Sequence, residues 1–215
     1  MIIRMGLQNR ELKTYVNILD GKMSIKVRPG TPGALQRENK KKVIVHELRY
    51  DQISGFLTGF NHRTGEFGVE FLIELLDDGT AYQIQVPWSS RHTKCFLVSC
   101  PNIDLKLPVT IRPYKFEPPD KKGKFISGLN VIQAGQKLPP AWAKERIPPM
   151  VKLLDIRGRP VTDNGIQKWD DSDQMAFLWD SANSWATKAG LFNTLPEEAH
   201  QEAQPQEDDL PEDFR

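Results

Sequence analysis

The chain has 215 residues, 39% of them hydrophobic, and nearly balanced charge, with 29 Lys and Arg against 28 Asp and Glu. That suits one domain with a sizeable core plus appendages, or two small domains. No apolar run reaches bilayer length and the first residues lack a signal-peptide pattern, so a soluble intracellular protein without membrane contacts is expected. Two cysteines, Cys95 and Cys100, without a ligand cluster around them read as reduced thiols, and no metal or cofactor is expected.

The net charge of +1 conceals a division of the chain. Residues 1–152 hold 24 Lys and Arg and 14 Asp and Glu, a net of +10, whereas residues 153–215 hold 5 and 14, a net of −9. A basic portion attracts polyanions, and an acidic appendage can occupy the same surface or recruit a basic partner.

In chain order, residues 14–19 and 22–27 flank Asp20-Gly21 and predict a hairpin. Residues 29–33 then break the chain, and a basic loop, Asn39 to Lys42, leads into the apolar run 43–48. Periodicity does not decide whether that run is its own strand or an extension of the next. Residues 50–86 form the organising stretch. Ile53, Phe56, Leu57 and Phe60, then residues 67–76, then residues 81–86 predict a three-stranded antiparallel meander. Its breaks are placed at His62-Arg63-Thr64-Gly65 and Asp77-Asp78-Gly79, the latter a type I′ turn.

Ser89 or Ser90 caps a short helix in which Cys95, Phe96, Val98 and Trp88 face the sheet while Arg91, His92 and Lys94 stay solvated. Residues 109–116 and 124–132 predict two more strands, with Pro113 marking an edge or a bulge. The proline-rich stretches 138–142 and 147–150 cannot form ladders and should run extended across the domain or leave it. Residues 174–188 predict an amphipathic helix using Met175, Phe177, Leu178, Trp185 and Trp179, with acids at its start. Residues 196–215 read as a disordered acidic tail.

The fold class is therefore mainly β. Three strands, a helix and two strands give the connectivity of a five-stranded oligonucleotide-binding (OB) barrel, with an added N-terminal hairpin, a C-terminal amphipathic helix and the tail. The division is 1–135 for the nucleic-acid-binding domain, 136–195 for the proline-rich segment and helix, and 196–215 for the tail.

No phosphate loop, zinc-protease helix or nucleophile elbow occurs, and the acidic pairs fall at a turn and a helix start. No catalytic residue is assigned and the protein is not expected to be an enzyme. Binding chemistry is better represented, because unpaired nucleic acid needs cations along its backbone and flat rings for stacking. The candidate stacking residues are Trp88, Tyr114 and Phe116. Arg63, Arg91, Lys94, Arg112, Lys115, Lys122 and Lys124 are the candidate backbone contacts.

The meander, the Pro87-Trp88-Ser89-Ser90 junction with its helix, the stretch 108–133 and the acidic C-terminus resemble the single-stranded DNA-binding proteins of tailed phages built on an OB fold. The resemblance covers roughly residues 45–135 plus the tail. It implies sequence-independent protection of single-stranded DNA in replication or recombination, in the cytoplasm of an infected bacterial host. It also implies recruitment of replication or recombination proteins by the tail, here through Asp208, Asp209, Leu210, Pro211, Asp213 and Phe214. The chain ends in Arg215, a departure from tails that end in an aromatic residue. The alternative is an RNA-binding or protein-interaction scaffold on a similar barrel without catalysis, and a homo-oligomer is left open.

Overall fold

The computed structural model describes residues 13–194 apart from 40, 66, 67, 121, 164 and 165. The expected tail, with all six tail contacts named above, lies outside the described residues.

Among the described residues, ten strands form one large sheet in the order β10-β9-β8-β5-β6-β7-β1-β2-β4-β3. The strands are β1 (Thr14–Leu19), β2 (Lys22–Val27), β3 (Leu35–Glu38), β4 (Ile44–Tyr50), β5 (Ile53–Gly65), β6 (Gly68–Asp77), β7 (Thr80–Pro87), β8 (Val109–Phe116), β9 (Ile126–Gln133) and β10 (Gln136–Lys137). The protein is thus mainly β, with a helix α1 (Arg91–Ser99) after the meander and a C-terminal helix α2 (Ser172–Lys188). No helix among the described residues is long and apolar enough to cross a membrane.

The hairpins follow their turn chemistry. Asp20-Gly21 and Asp78-Gly79 each place two consecutive residues at positive φ, the requirement of a type I′ turn. The N-terminal hairpin and the strand β8 match their sequence expectations, and residues 44–48 of the apolar run belong to a strand of their own, β4, paired with β2. The break expected at His62 to Gly65 is not a break. β5 continues to Gly65, His62 stands opposite Phe71, and Arg63 stands opposite Glu70 with an ion pair of 3.2 Å. A bulge between Leu57 and Gly59 resets the alternation so that Leu57 and Phe60 both turn inward.

The expected five-stranded barrel does not close. β5 to β9 have the order β9-β8-β5-β6-β7, but β9 spends its outer edge on β10, and β7 pairs in parallel with β1. The N-terminal hairpin thereby takes the edge that barrel closure requires. The sheet curls until the β1–β2 turn meets β8: Lys115 donates to Asp20 at 2.7 Å, and a Cβ on Gly21 would come within 2.7 Å of the Lys115 backbone nitrogen. Gly21 is needed both for its positive φ and for this approach. We call this junction the seam.

Inside the curl, Val16, Met23, Phe71, Ile73, Leu75, Ile84, Ile111 and Val131 form one buried cluster with Phe96 and Leu97 of α1. Met175, Leu178, Ala182 and Ala186 of α2 belong to the same cluster, so residues beyond 135 share the core of the sheet. The proline-rich run crosses the domain: the Ala141 N–H donates to the Val98 carbonyl at 2.7 Å, and Trp142 meets Phe177 edge-on. Lys94 pairs with Asp171 at 2.6 Å, tying α1 to the start of α2. Lys94 is consequently not the freely solvated cation expected of it. Neither is His92, whose partial burial lowers its pKa and leaves Nε2 buried without a hydrogen-bond partner.

After Met150 the described residues form two short two-stranded ladders. β11 (Val151–Lys152) pairs with β14 (Trp169–Asp170), and β12 (Thr162–Asp163) pairs with β13 (Ile166–Gln167).

Candidate nucleic-acid interface

β8 pairs with β5 only as far as Ile111, because the chain turns a corner at Asp51-Gln52 between β4 and β5. From Arg112 onward that edge of β8 pairs with no strand among the described residues and meets only the β1–β2 turn at the seam, which is where Pro113 falls and why a residue without an N–H is accommodated there. A groove of about 670 Å³ lies along this edge, walled by the β1–β2 turn, the corner, and Arg112, Tyr114 and Lys115. Arg112 donates to the Gln52 side chain at 2.9 Å, and Lys22 pairs with Asp51.

The two-residue period puts Arg112, Tyr114 and Phe116 on one face of β8. Tyr114 stands opposite Gly128, where a Cβ would come within 2.5 Å of its hydroxyl and 3.1 Å of Cys95 Sγ. Gly128 leaves the space in which the ring reaches α1, beside Cys95 and Arg91. Partial burial raises the Tyr114 pKa, and the neighbouring Cys95 raises it further. Phe116, 50% exposed, lies 6.1 Å from the Tyr114 ring, and Phe125, 60% exposed, carries Lys115 Nζ at 4.8 Å from its centroid. Lys122 and Lys124 are exposed in the β8–β9 connection. The hairpin therefore presents adjacent rings and cations at an open strand edge.

Of the residues selected from sequence, Arg91, Arg112, Tyr114, Lys115, Phe116, Lys122 and Lys124 belong to this hairpin or to the helix start that Tyr114 touches. Three do not. Arg63 is held by Glu70 on the outward side of the meander, and Lys94 is held by Asp171. Trp88 stacks on His62 at 4.8 Å and meets Phe71 and Trp179, so its ring belongs to an aromatic cluster roofed by α2. Phe125 is the most exposed ring of the hairpin.

Sequence reasoning missed a second basic feature. Glu47, in β4 between His46 and Leu48, is fully buried. Arg37 Nε donates to one carboxylate oxygen at 2.7 Å, and Arg49 donates to the other through Nε at 3.0 Å and Nη2 at 2.9 Å. Burial alone would push the Glu47 carboxyl up; hydrogen bonds from Arg37, Arg49 and Ser24 outweigh it and hold the carboxyl below the usual glutamate range. The signal available in the sequence was a lone carboxylate inside an apolar run flanked by arginines.

Among the described residues no cluster of three His, Cys, Asp or Glu side chains could hold a metal ion. Cys100 is buried, which pushes its thiol pKa well up, and Cys95 is half-buried under Tyr114. Comparison with known proteins finds no matching family model, no matching curated protein and no matching solved structure.

Proposed function

We propose that this chain is a sequence-independent single-stranded DNA-binding protein that serves DNA replication or recombination, of the kind found in tailed phages, and that it is not an enzyme. The observation that carries the reading is the β8–β9 hairpin, where the exposed rings of Phe116 and Phe125 interleave with Lys115, Lys122, Lys124 and Arg112 beside an open groove. Rings accept any unpaired base on their faces, and the cations follow the phosphates, so neither component selects a sequence. In a duplex the bases are stacked and paired, which leaves the rings without a partner.

The layout of β5 to β9 supports a finer fold reading. A meander, a helix and a returning hairpin paired to the first meander strand are the layout expected of an OB-like core, here with one edge taken by the N-terminal hairpin. In OB folds the connection between the last two strands contributes to the binding surface, and here that connection carries Lys122 and Lys124.

Photo-crosslinking with a single strand containing iododeoxyuridine tests the placement. Crosslinks should map to Tyr114, Phe116 or Phe125. Crosslinks confined to other parts of the sheet would contradict it.

A further inference from the structure

The outward face of β2, β4 and β3 is ordered by register. Antiparallel partners point to the same side of a sheet, so Ser24 stands beside Arg49, Lys26 beside Glu47, and Arg37 beside Val45, all on one face. At the seam end of this face, Lys22 pairs with Asp51 across the corner that walls the groove. Successive rows along β2 and β4 lie two residues apart, roughly 6.8 Å. Moving away from the groove, the rows present Lys22, Arg49, Lys26 and Arg37.

The cations exceed the acids on these rows. Glu47 and Asp51 are the acids, and Glu47 is buried beneath the two guanidinium groups it holds. Both arginine side chains remain partly exposed, at 32% for Arg37 and 29% for Arg49. Arg37 uses only Nε on the carboxylate and Arg49 only Nε and Nη2, which leaves three terminal nitrogens without a hydrogen bond to Glu47. Lys26 is exposed and makes no ion pair among the described residues. The buried carboxylate thus acts as a bracket that fixes two planar forks at a set spacing, a geometry suited to phosphate oxygens. Across the meander the outward face differs, since Glu70 and Glu74 are each matched by one cation, Arg63 and Lys13.

We propose that this face is a phosphate-binding track continuous with the seam groove, over which a single strand leaving the β8–β9 hairpin runs past Lys22, Arg49, Lys26 and Arg37. The proposal rests on the single-strand reading above and adds the direction the strand takes. Short oligonucleotides fill the seam groove alone, whereas longer ones reach the track.

The test measures binding of oligothymidylates of about 5 and about 20 nucleotides, spanning the usual range of site sizes, across salt concentrations. The variants are Lys26→Glu, the pair Arg49→Gln with Glu47→Gln, and Lys188→Glu as an off-track charge reversal. The paired variant removes the buried carboxylate together with one of its cations, and Lys26→Glu changes an exposed side chain, so the fold does not depend on one substitution. The track predicts that Lys26→Glu weakens binding of the long oligomer several-fold. The log–log salt slope should become shallower by at least about 0.7, the contribution of one phosphate contact on a single strand. The paired variant should act in the same direction, while short-oligomer binding and the Lys188→Glu protein stay unchanged. Long-oligomer affinity unchanged by Lys26→Glu, or a loss equal at both lengths, overturns the track while leaving the single-strand reading intact. A wild-type protein that binds neither oligomer overturns both.

Discussion

Phe116 and Trp88 were selected from sequence for the same property, a large ring near cations, and the structure gives them different neighbours. Phe116 is half exposed at an open edge, so Phe116→Ala should cost about 1 to 3 kcal/mol of single-strand binding with melting unchanged. Trp88 packs on His62, Phe71 and Trp179, so Trp88→Ala should lower stability toward the roughly 3 to 5 kcal/mol of core aromatic truncation. Melting and affinity measured on both proteins separate the two outcomes. Gly21 makes a third residue-scale case: alanine there meets a positive φ and the Lys115 backbone, and Gly21→Ala should cost at least about 1 to 2 kcal/mol. A thermal melt unchanged by Gly21→Ala would show that the seam is not closely packed.

Glu47 gives a pH dependence. Its folded pKa is depressed, so the unfolded chain takes up this proton first as pH falls, and the unfolded state gains. Its contribution is fully present above the ordinary glutamate value of about 4.3 and is lost as pH drops below that value through the lower folded pKa. Denaturant titrations of wild type and Glu47→Gln should therefore converge in this acid window. A stability gap between them that stays constant from neutral pH into that window would contradict the account.

At the scale of elements, local chemistry was legible in the sequence and long-range pairing was not. Asp78-Gly79 announced its turn because few residues tolerate two positive φ values in succession, and the pair Ser89-Ser90 announced α1, of which Ser90 is the cap, accepting from the Thr93 N–H at 3.3 Å. β5 was cut short because His62 and Arg63 look like loop residues; His62 is satisfied by stacking on Trp88 and Arg63 by its cross-strand acid. The parallel pairing of β1 with β7 joins residues about seventy positions apart, and no local period encodes it. That one pairing explains why the barrel expected from strand order stays open. The hairpin half of the candidate site was readable because alternation places Arg112, Tyr114 and Phe116 together. The β2–β4–β3 face was not, since it depends on registers among three strands.

The same scale carries a prediction for α2. Trp179 meets Phe60, His62, Phe71 and Trp88, and the helix buries Met175 and Leu178 in the common core. Trp179→Ala should lower the stability of the whole protein in a single cooperative transition. A separate early transition for α2, with the sheet melting as in wild type, would show that the helix is an appendage.

For the whole molecule, charge is the organising quantity. Residues 196–215 carry 8 acids and 1 arginine, a net of −7, on a chain whose first 152 residues carry +10. On the proposed reading, tethering would hold those acids at high effective concentration near the basic surfaces, where they would compete with phosphate until salt screens both. A protein ending at Leu195 should bind single-stranded DNA more tightly than the full chain, and more so at low salt. Equal or weaker binding by the shortened protein at low salt would remove competition from the account.

The central claim is preference for unpaired nucleic acid, and one titration reaches it directly. The full chain is titrated by fluorescence with a single-stranded oligodeoxynucleotide, its duplex and an RNA of the same sequence and length, across salt concentrations. The account predicts that the single DNA strand binds tighter than the duplex at moderate salt, with affinity falling steeply as salt rises. RNA binding tighter than DNA would point to 2′-hydroxyl contacts and an RNA-binding role. Equal affinity for the single strand and the duplex at moderate salt would contradict the account.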